Sequence, residues 1–221
     1  MKLLKDLYAY PWQDPYENNC NTYVITGKKT ILIDPGHHRF LDSLFARMKE
    51  DRISPDAIDL LVVTHSHPDH LEGAEVFQGR TLKVAMSRDE VNYLQGPGKY
   101  LYEMMGQSVP HLRFDFYLKE GELHVEDKAF EIYATPGHSP GSLSIYWPKR
   151  KALFTGDVIF SGGIGRTDFP EGDPDLLARS IERLSRLDIE ILLPGHGEII
   201  MGKEEVLENF EVIRQSFFGY L

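Results

Sequence analysis

The segment Thr64-His65-Ser66-His67-Pro68-Asp69-His70 constrains this chain more than any other, because it sets three imidazoles and a carboxylate within a few positions. It follows Asp59-Leu60-Leu61-Val62-Val63-Thr64, an apolar run of strand length that reads as a strand buried on both faces. His65 and His67 alternate, so both face one side of an extended loop. Pro68 bends the path, which lets Asp69 and His70 face a second point. Imidazole and carboxylate hold zinc-type ions at ~2.0–2.2 Å, and one ion takes about four donors. Four donors here are too few for two closed sites and badly arranged for one.

Three further pieces supply the remainder. Thr135-Pro136-Gly137-His138, Thr155-Gly156-Asp157 and Pro194-Gly195-His196-Gly197 each follow an apolar strand-like run. In each, the candidate ligand directly follows a glycine, which lets the backbone come close while the side chain points into a shared cleft. The tally is five histidines and two aspartates, enough for two metal ions if one carboxylate bridges. The other four histidines read otherwise: His111 and His124 as surface residues, and His37 and His38 as residues that follow a strand end, a place that would bring one of the two to the cleft mouth. Cys20, with no charge beside it to stabilise a thiolate, reads as a small buried residue.

Composition closes off other classes. The 221 residues carry 24 Lys+Arg against 34 Asp+Glu, a net charge of −10, which disfavours nucleic acid as a partner. One cysteine excludes an internal disulfide and fits a reducing compartment, so a cytoplasmic location is expected. No run approaches the ~20 apolar residues of a membrane span, and no signal-peptide core opens the chain. With no repeat and no linker, residues 1–221 read as a single domain.

The elements alternate. Thr22–Thr26 and Thr30–Asp34 read as a hairpin around Gly27-Lys28-Lys29. Phe40, Leu41, Leu44, Phe45 and Met48 predict a helix over 39–50. Leu82–Met86 reads as a strand, and Ser87 with Glu90 as a capping box. Residues 96–110 fit either a loop or a short helix. Strands follow at 129–134, 142–147 and 151–155. Asp173-Pro174 starts a helix with Leu177, Ile181 and Leu184 as its buried stripe, Ile191–Leu193 is a last strand, and Val206, Leu207, Phe210, Ile213 and Phe217 stripe a final helix.

These residues together resemble the metallo-β-lactamase superfamily from about Asn19 to the last helix. The resemblance implies an α/β fold, a four-layer αβ/βα sandwich with a dinuclear metal site at the edge of two β-sheets. It implies that His65, His67 and His138 hold one ion, that Asp69, His70 and His196 hold the other, and that Asp157 bridges them. The ions expected are two divalent metals, zinc first, with iron or manganese as alternatives. Asp157 stands where the antibiotic-hydrolysing members carry other residues, often Cys. His67 replaces a carboxylate of the diiron flavoproteins of this fold. The run from Gly156 to Arg166 is similar to the glyoxalase II (hydroxyacylglutathione hydrolase) branch, and Thr167-Asp168-Phe169 is closer to its short bacterial relatives and to persulfide dioxygenases. Gly197-Glu198 stands where the longer glyoxalase II enzymes have a tyrosine that grips glutathione.

The expected activity is therefore hydrolysis of a thioester or related acyl ester, with Asp69 orienting the attacking water. A mononuclear iron persulfide dioxygenase using His65, His138 and Asp157 is the alternative. Arg166 matches a basic residue that contacts glutathione in the family, and pairing with Asp168 as a loop anchor is its other reading. The expected partner is a small anionic acyl thioester, with no membrane and with a homodimer as one assembly.

Overall fold

Strands formed by β-branched and apolar runs account for both sheets. The computed structural model describes residues 1–79 and 81–218, in two compact units, Met1–Leu118 and Lys119–Leu221. The first unit holds strands β1 (Lys2–Leu4), β2 (Leu7–Tyr10), β3 (Thr22–Ile25), β4 (Ile31–Ile33), β5 (Leu60–Val62), β6 (Lys83–Ser87) and β7 (Phe116–Leu118), which lie in that order in one sheet. β1 to β4 pair antiparallel, including the predicted hairpin, with Tyr23 opposite Ile33 and Ile25 opposite Ile31. β4 to β7 run parallel. β4 and β5 are buried along their whole length, as continuous apolar runs require.

The helices of this unit are α1 (Leu41–Glu50), α2 (Pro68–Leu71), α3 (Arg88–Gln95) and α4 (Lys99–Met104). α1 buries Leu41, Leu44 and Met48 and is preceded by a 3-10 turn at His38–Phe40, so the predicted helix starts one turn tighter than an α-helix. α4 shows that part of the 96–110 stretch is a short helix. Ser87 Oγ accepts from the Glu90 N–H at 3.0 Å and caps α3. The strands and helices share one apolar cluster that includes Val24, Leu32, Leu61, Met48 and Leu71. Each side chain buried there stabilises the unit by about 1.5–3 kcal/mol.

The second unit holds β8 (Gly121–Val125), β9 (Lys128–Ala134), β10 (Leu143–Trp147), β11 (Ala152–Gly156), a small hairpin of β12 (Ile159–Phe160) and β13 (Gly163–Ile164), α5 (Pro174–Leu184), β14 (Ile191–Pro194), β15 (Ile200–Met201) and α6 (Lys203–Phe217). Its main sheet runs β15-β14-β11-β10-β9-β8. β11 and β14 are parallel neighbours joined through α5, and the other pairs are antiparallel. The Asp173 side chain caps α5 by accepting from the Leu176 N–H at 2.9 Å, Pro174 opens the helix, and Leu177, Ile181 and Leu184 are buried as their spacing predicts.

α6 departs from its predicted stripe. Val206, Phe210 and Ile213 are buried, but Leu207 and Phe217 are each 48% exposed, and Asn209 takes an inward place. Asn209 Oδ1 accepts from the Gly162 N–H at 2.7 Å and its Nδ2 donates to the Phe160 carbonyl at 3.0 Å. This polar clasp on the β12–β13 hairpin sets the helix rotation, because a buried amide must keep its hydrogen bonds. Among the described residues no helix is long and apolar enough to cross a membrane.

The turn after β9 is seated directly on α5. Gly137 has φ +133°, and a Cβ there would run into the main chain of Leu177. Gly137→Ala is therefore expected to cost about 2 kcal/mol or more, a fall in Tm of about 5 °C or more at this size. An unchanged thermal melt would show that α5 does not rest on this turn.

Candidate metal centre

The first unit positions four donors, His65, His67, Asp69 and His70. β5 ends at Val62 and delivers the chain to them in two conformations. His67 is extended (φ −63°, ψ 148°), and Pro68 then starts the single turn of α2 that carries Asp69 and His70. The His65 ring lies 4.6 Å from the His67 ring and 4.1 Å from the His70 ring, centroid to centroid. His65 and His70 are fully buried and His67 and Asp69 nearly so.

Asp34, at the end of the neighbouring strand β4, orients this loop. Its backbone is left-handed (φ 53°) and its carboxylate is buried. Oδ1 accepts from the Thr64 N–H at 2.8 Å, and Oδ2 accepts from Thr64 Oγ1 at 2.7 Å and from His70 Nδ1 at 2.9 Å. The one hydroxyl proton of Thr64 is thus committed to Asp34. Thr64 Oγ1 lies 3.1 Å from His65 Nδ1, so it accepts there and His65 Nδ1 carries the proton. The neutral tautomers of His65 and His70 that result present the Nε2 lone pair, the form a metal ligand needs. Asn18 Nδ2 donates to Asp69 Oδ2 at 2.7 Å, fixing that carboxylate.

The second unit positions His138, Asp157 and His196. Each follows a glycine beyond a strand, and Gly137 and Gly156 both have positive φ, as the close turns require. His138 Nδ1 donates to the Arg166 carbonyl at 2.7 Å, which leaves Nε2 as its donor atom. His138 Nε2 and His196 Nε2 lie 3.6 and 3.3 Å from the same oxygen, Asp157 Oδ2. Two ligand atoms at ~2.1 Å from one ion, at a tetrahedral angle, are about 3.4 Å apart. The observed separations bracket that value, so the residues present fit a metal ion.

The remaining sequence candidates separate. Arg166 is exposed and its guanidinium is bidentate on Asp168, at 2.6 Å through both Nε and Nη2, with the Phe169 ring 3.9 Å from its centre. The Arg166 hydrogen bond holds Asp168 down to about 2. A depressed carboxylate pKa means the pairing is present above the ordinary value of about 3.9 and is lost as pH falls through about 2. His111 and His124 are exposed and Cys20 is buried, as the sequence predicts, and His38 is exposed as well. His37 is fully buried, with Nδ1 2.5 Å from Glu72 Oε2. Sequence reasoning missed Asp34, Thr64 and Asn18 as supports. The available signal was Asp34 itself, a carboxylate closing an apolar strand.

Comparisons with known proteins place the chain in a family. The sequence profile described as Metallo-beta-lactamase superfamily matches residues 15–196. A probable metallo-hydrolase of Methanocaldococcus jannaschii is 36% identical over 193 residues, 83% of this chain and 90% of its own. The hydroxyacylglutathione hydrolase GloC of Haemophilus influenzae is 32% identical over 207 residues, 88% of this chain and 92% of its own. Among solved structures, BLEG-1, a B3 metallo-β-lactamase, superposes with a TM-score of 0.77 at 27% identity, covering 96% of this chain and 97% of its own. TTHA1623, solved in a di-iron-bound form, gives 0.71 at 30% identity, covering 90% and 96%.

Asp34→Asn replaces an oxygen that accepts two hydrogen bonds, or leaves an N–H facing donors. It is expected to lower metal affinity about 10–100-fold, the usual cost of losing a support behind a ligand. Competition against a chromogenic chelator checks this, and parental affinity would remove Asp34 from the centre.

Proposed function

This chain belongs to the metallo-β-lactamase superfamily and is a metallo-hydrolase with that family's fold, and from that premise we propose that it hydrolyses an acyl thioester. The proposed cofactors are two divalent ions, zinc by preference, with iron or manganese as substitutes. His65, His67 and His138 would hold one, Asp69, His70 and His196 the other, and Asp157 would serve both. The observation that carries this reading is the convergence of His138 and His196 on one oxygen of Asp157; in the first unit, the tautomers of His65 and His70 that offer Nε2 are already set.

Bound there, the ions would supply Lewis-acid polarisation of a carbonyl and a water of lowered pKa. The chain's own groups do the rest. Asp69, held by Asn18, accepts a hydrogen bond from the attacking water and aims it. Asp34 keeps His70 and, through Thr64, His65 in the ligand tautomer. Asp69 and Asp157 offset part of the charge of two dications. Asp34 and Glu90, both buried, offset more, so selection of an anionic substrate falls to Arg166. Asp168 takes two of its five N–H donors, which orients the guanidinium and leaves the others for a substrate carboxylate. The similarity to a hydroxyacylglutathione hydrolase supports a thioester, and the Asp at position 157 argues against a β-lactam.

The test is a substrate panel on zinc-loaded and iron-loaded protein: lactoylglutathione, short acyl-CoA esters, a chromogenic cephalosporin, and glutathione persulfide with oxygen uptake. The expected result is metal-dependent thiol release from a thioester. Oxygen uptake by the iron form without thiol release would replace this reading with the dioxygenase, and cephalosporin turnover alone would replace it with a β-lactamase. Arg166→Ala is expected to raise KM about tenfold with kcat within about threefold, because it removes binding common to ground and transition states. A lowered Tm with unchanged KM would make Arg166 a loop anchor only.

A further inference from the structure

Ser66 stands between two proposed ligands, and the alternation of extended backbone turns it to the side opposite them. Its polar groups are held from behind. The Ser66 N–H and Oγ–H both donate to Glu90 Oε2, at 2.8 and 2.7 Å, and its carbonyl accepts from the Tyr102 hydroxyl at 3.1 Å. Glu90 is 0% exposed and Tyr102 1%. Glu90 sits in the first turn of α3, where the Ser87 cap fixes its main chain, and Tyr102 sits on α4. Two helices therefore grip the one residue that links His65 to His67. A carboxylate is costly to bury unless donors replace its water, and this one accepts from Ser66 twice.

We propose that Glu90 is a positioning residue of the metal centre: it fixes the His65-Ser66-His67 backbone so that both imidazoles meet one ion. The proposal rests on the reading of His65 and His67 as ligands. Without the two bonds to Glu90, Ser66 can rotate its peptide, and the two rings lose the approach recorded by their 4.6 Å separation. Tyr102 supports the same residue through its carbonyl, so its loss acts in the same direction and more weakly.

The experiment compares the parent with Glu90→Ala, Glu90→Gln and Tyr102→Phe. It reads ion stoichiometry and affinity by chelator competition, the visible spectrum of the Co(II) form, and the melting of metal-free protein. Glu90→Ala is expected to weaken one of two ions about 10–100-fold and to shift the Co(II) bands. Glu90→Gln, whose amide oxygen still accepts from Ser66, is expected to restore most of the affinity. Tyr102→Phe should show a smaller loss of the same ion. If Glu90→Ala does not fold, Glu90→Gln and Tyr102→Phe decide. Variants with a lowered melting point but parental affinity and an unshifted Co(II) spectrum would overturn the proposal and leave Glu90 as support for the fold alone. A parent that binds no ion overturns the metal reading itself, whereas a loaded parent with equally loaded variants overturns only the role of Glu90.

Discussion

The carboxylate of Asp34 is the contact on which the donor loop depends. A buried carboxylate is strongly disfavoured unless hydrogen bonds replace water, and this one has three donors, two from Thr64 and one from His70. Those bonds also hold its left-handed backbone, a conformation that costs a non-glycine residue of order 1 kcal/mol or more. The protonation pattern follows from it. Because Thr64 gives its only hydroxyl proton to Asp34, His65 must donate from Nδ1, and His70 donates to Asp34 directly. One strand-end residue thus sets two imidazoles in the form that offers Nε2 to an ion.

The chemistry is kept apart from what holds each unit together. None of the seven donors belongs to the apolar clusters of Val24, Leu32 and Leu61 or of Leu153, Leu177 and Phe210. The donors lie just past strand ends, where the apolar sheets stop and glycine turns bring the backbone in. Loss of a ligand should for that reason be felt in metal binding and rate before it is felt in folding. Gly137 is the exception, because the turn that aims His138 is also the seat of α5.

Most of this was legible in the sequence where the relevant spacing is short. The β3–β4 hairpin, the Asp173-Pro174 start of α5 and its stripe are local, and they formed where the pattern placed them. The donors were legible because metal chemistry demands few residue types and Gly-His or Gly-Asp after an apolar run is a narrow pattern. The Arg166–Asp168 pair, two residues apart, was legible as one of two readings. What was not legible depends on contacts distant in sequence. Glu90 reads locally as a capping residue, yet its carboxylate serves Ser66, and Asn18 reaches Asp69 from a loop near the start of the chain. The rotation of α6 was misread for the same reason: Asn209 turns inward for the carbonyl of Phe160 and the N–H of Gly162, which the helix's own periodicity does not report.

The proposed two-ion centre draws on seven donors and shares Asp157. Such a carboxylate would offset the repulsion between the two ions. The most direct measurement is elemental analysis of the parent and of Asp157→Ala, each purified without added metal. Two ions per parent chain are expected, with both lost together in the variant while its melting temperature stays near that of the metal-free parent. A variant that keeps both ions and a near-parental kcat would contradict the claim and require the donors to be reassigned.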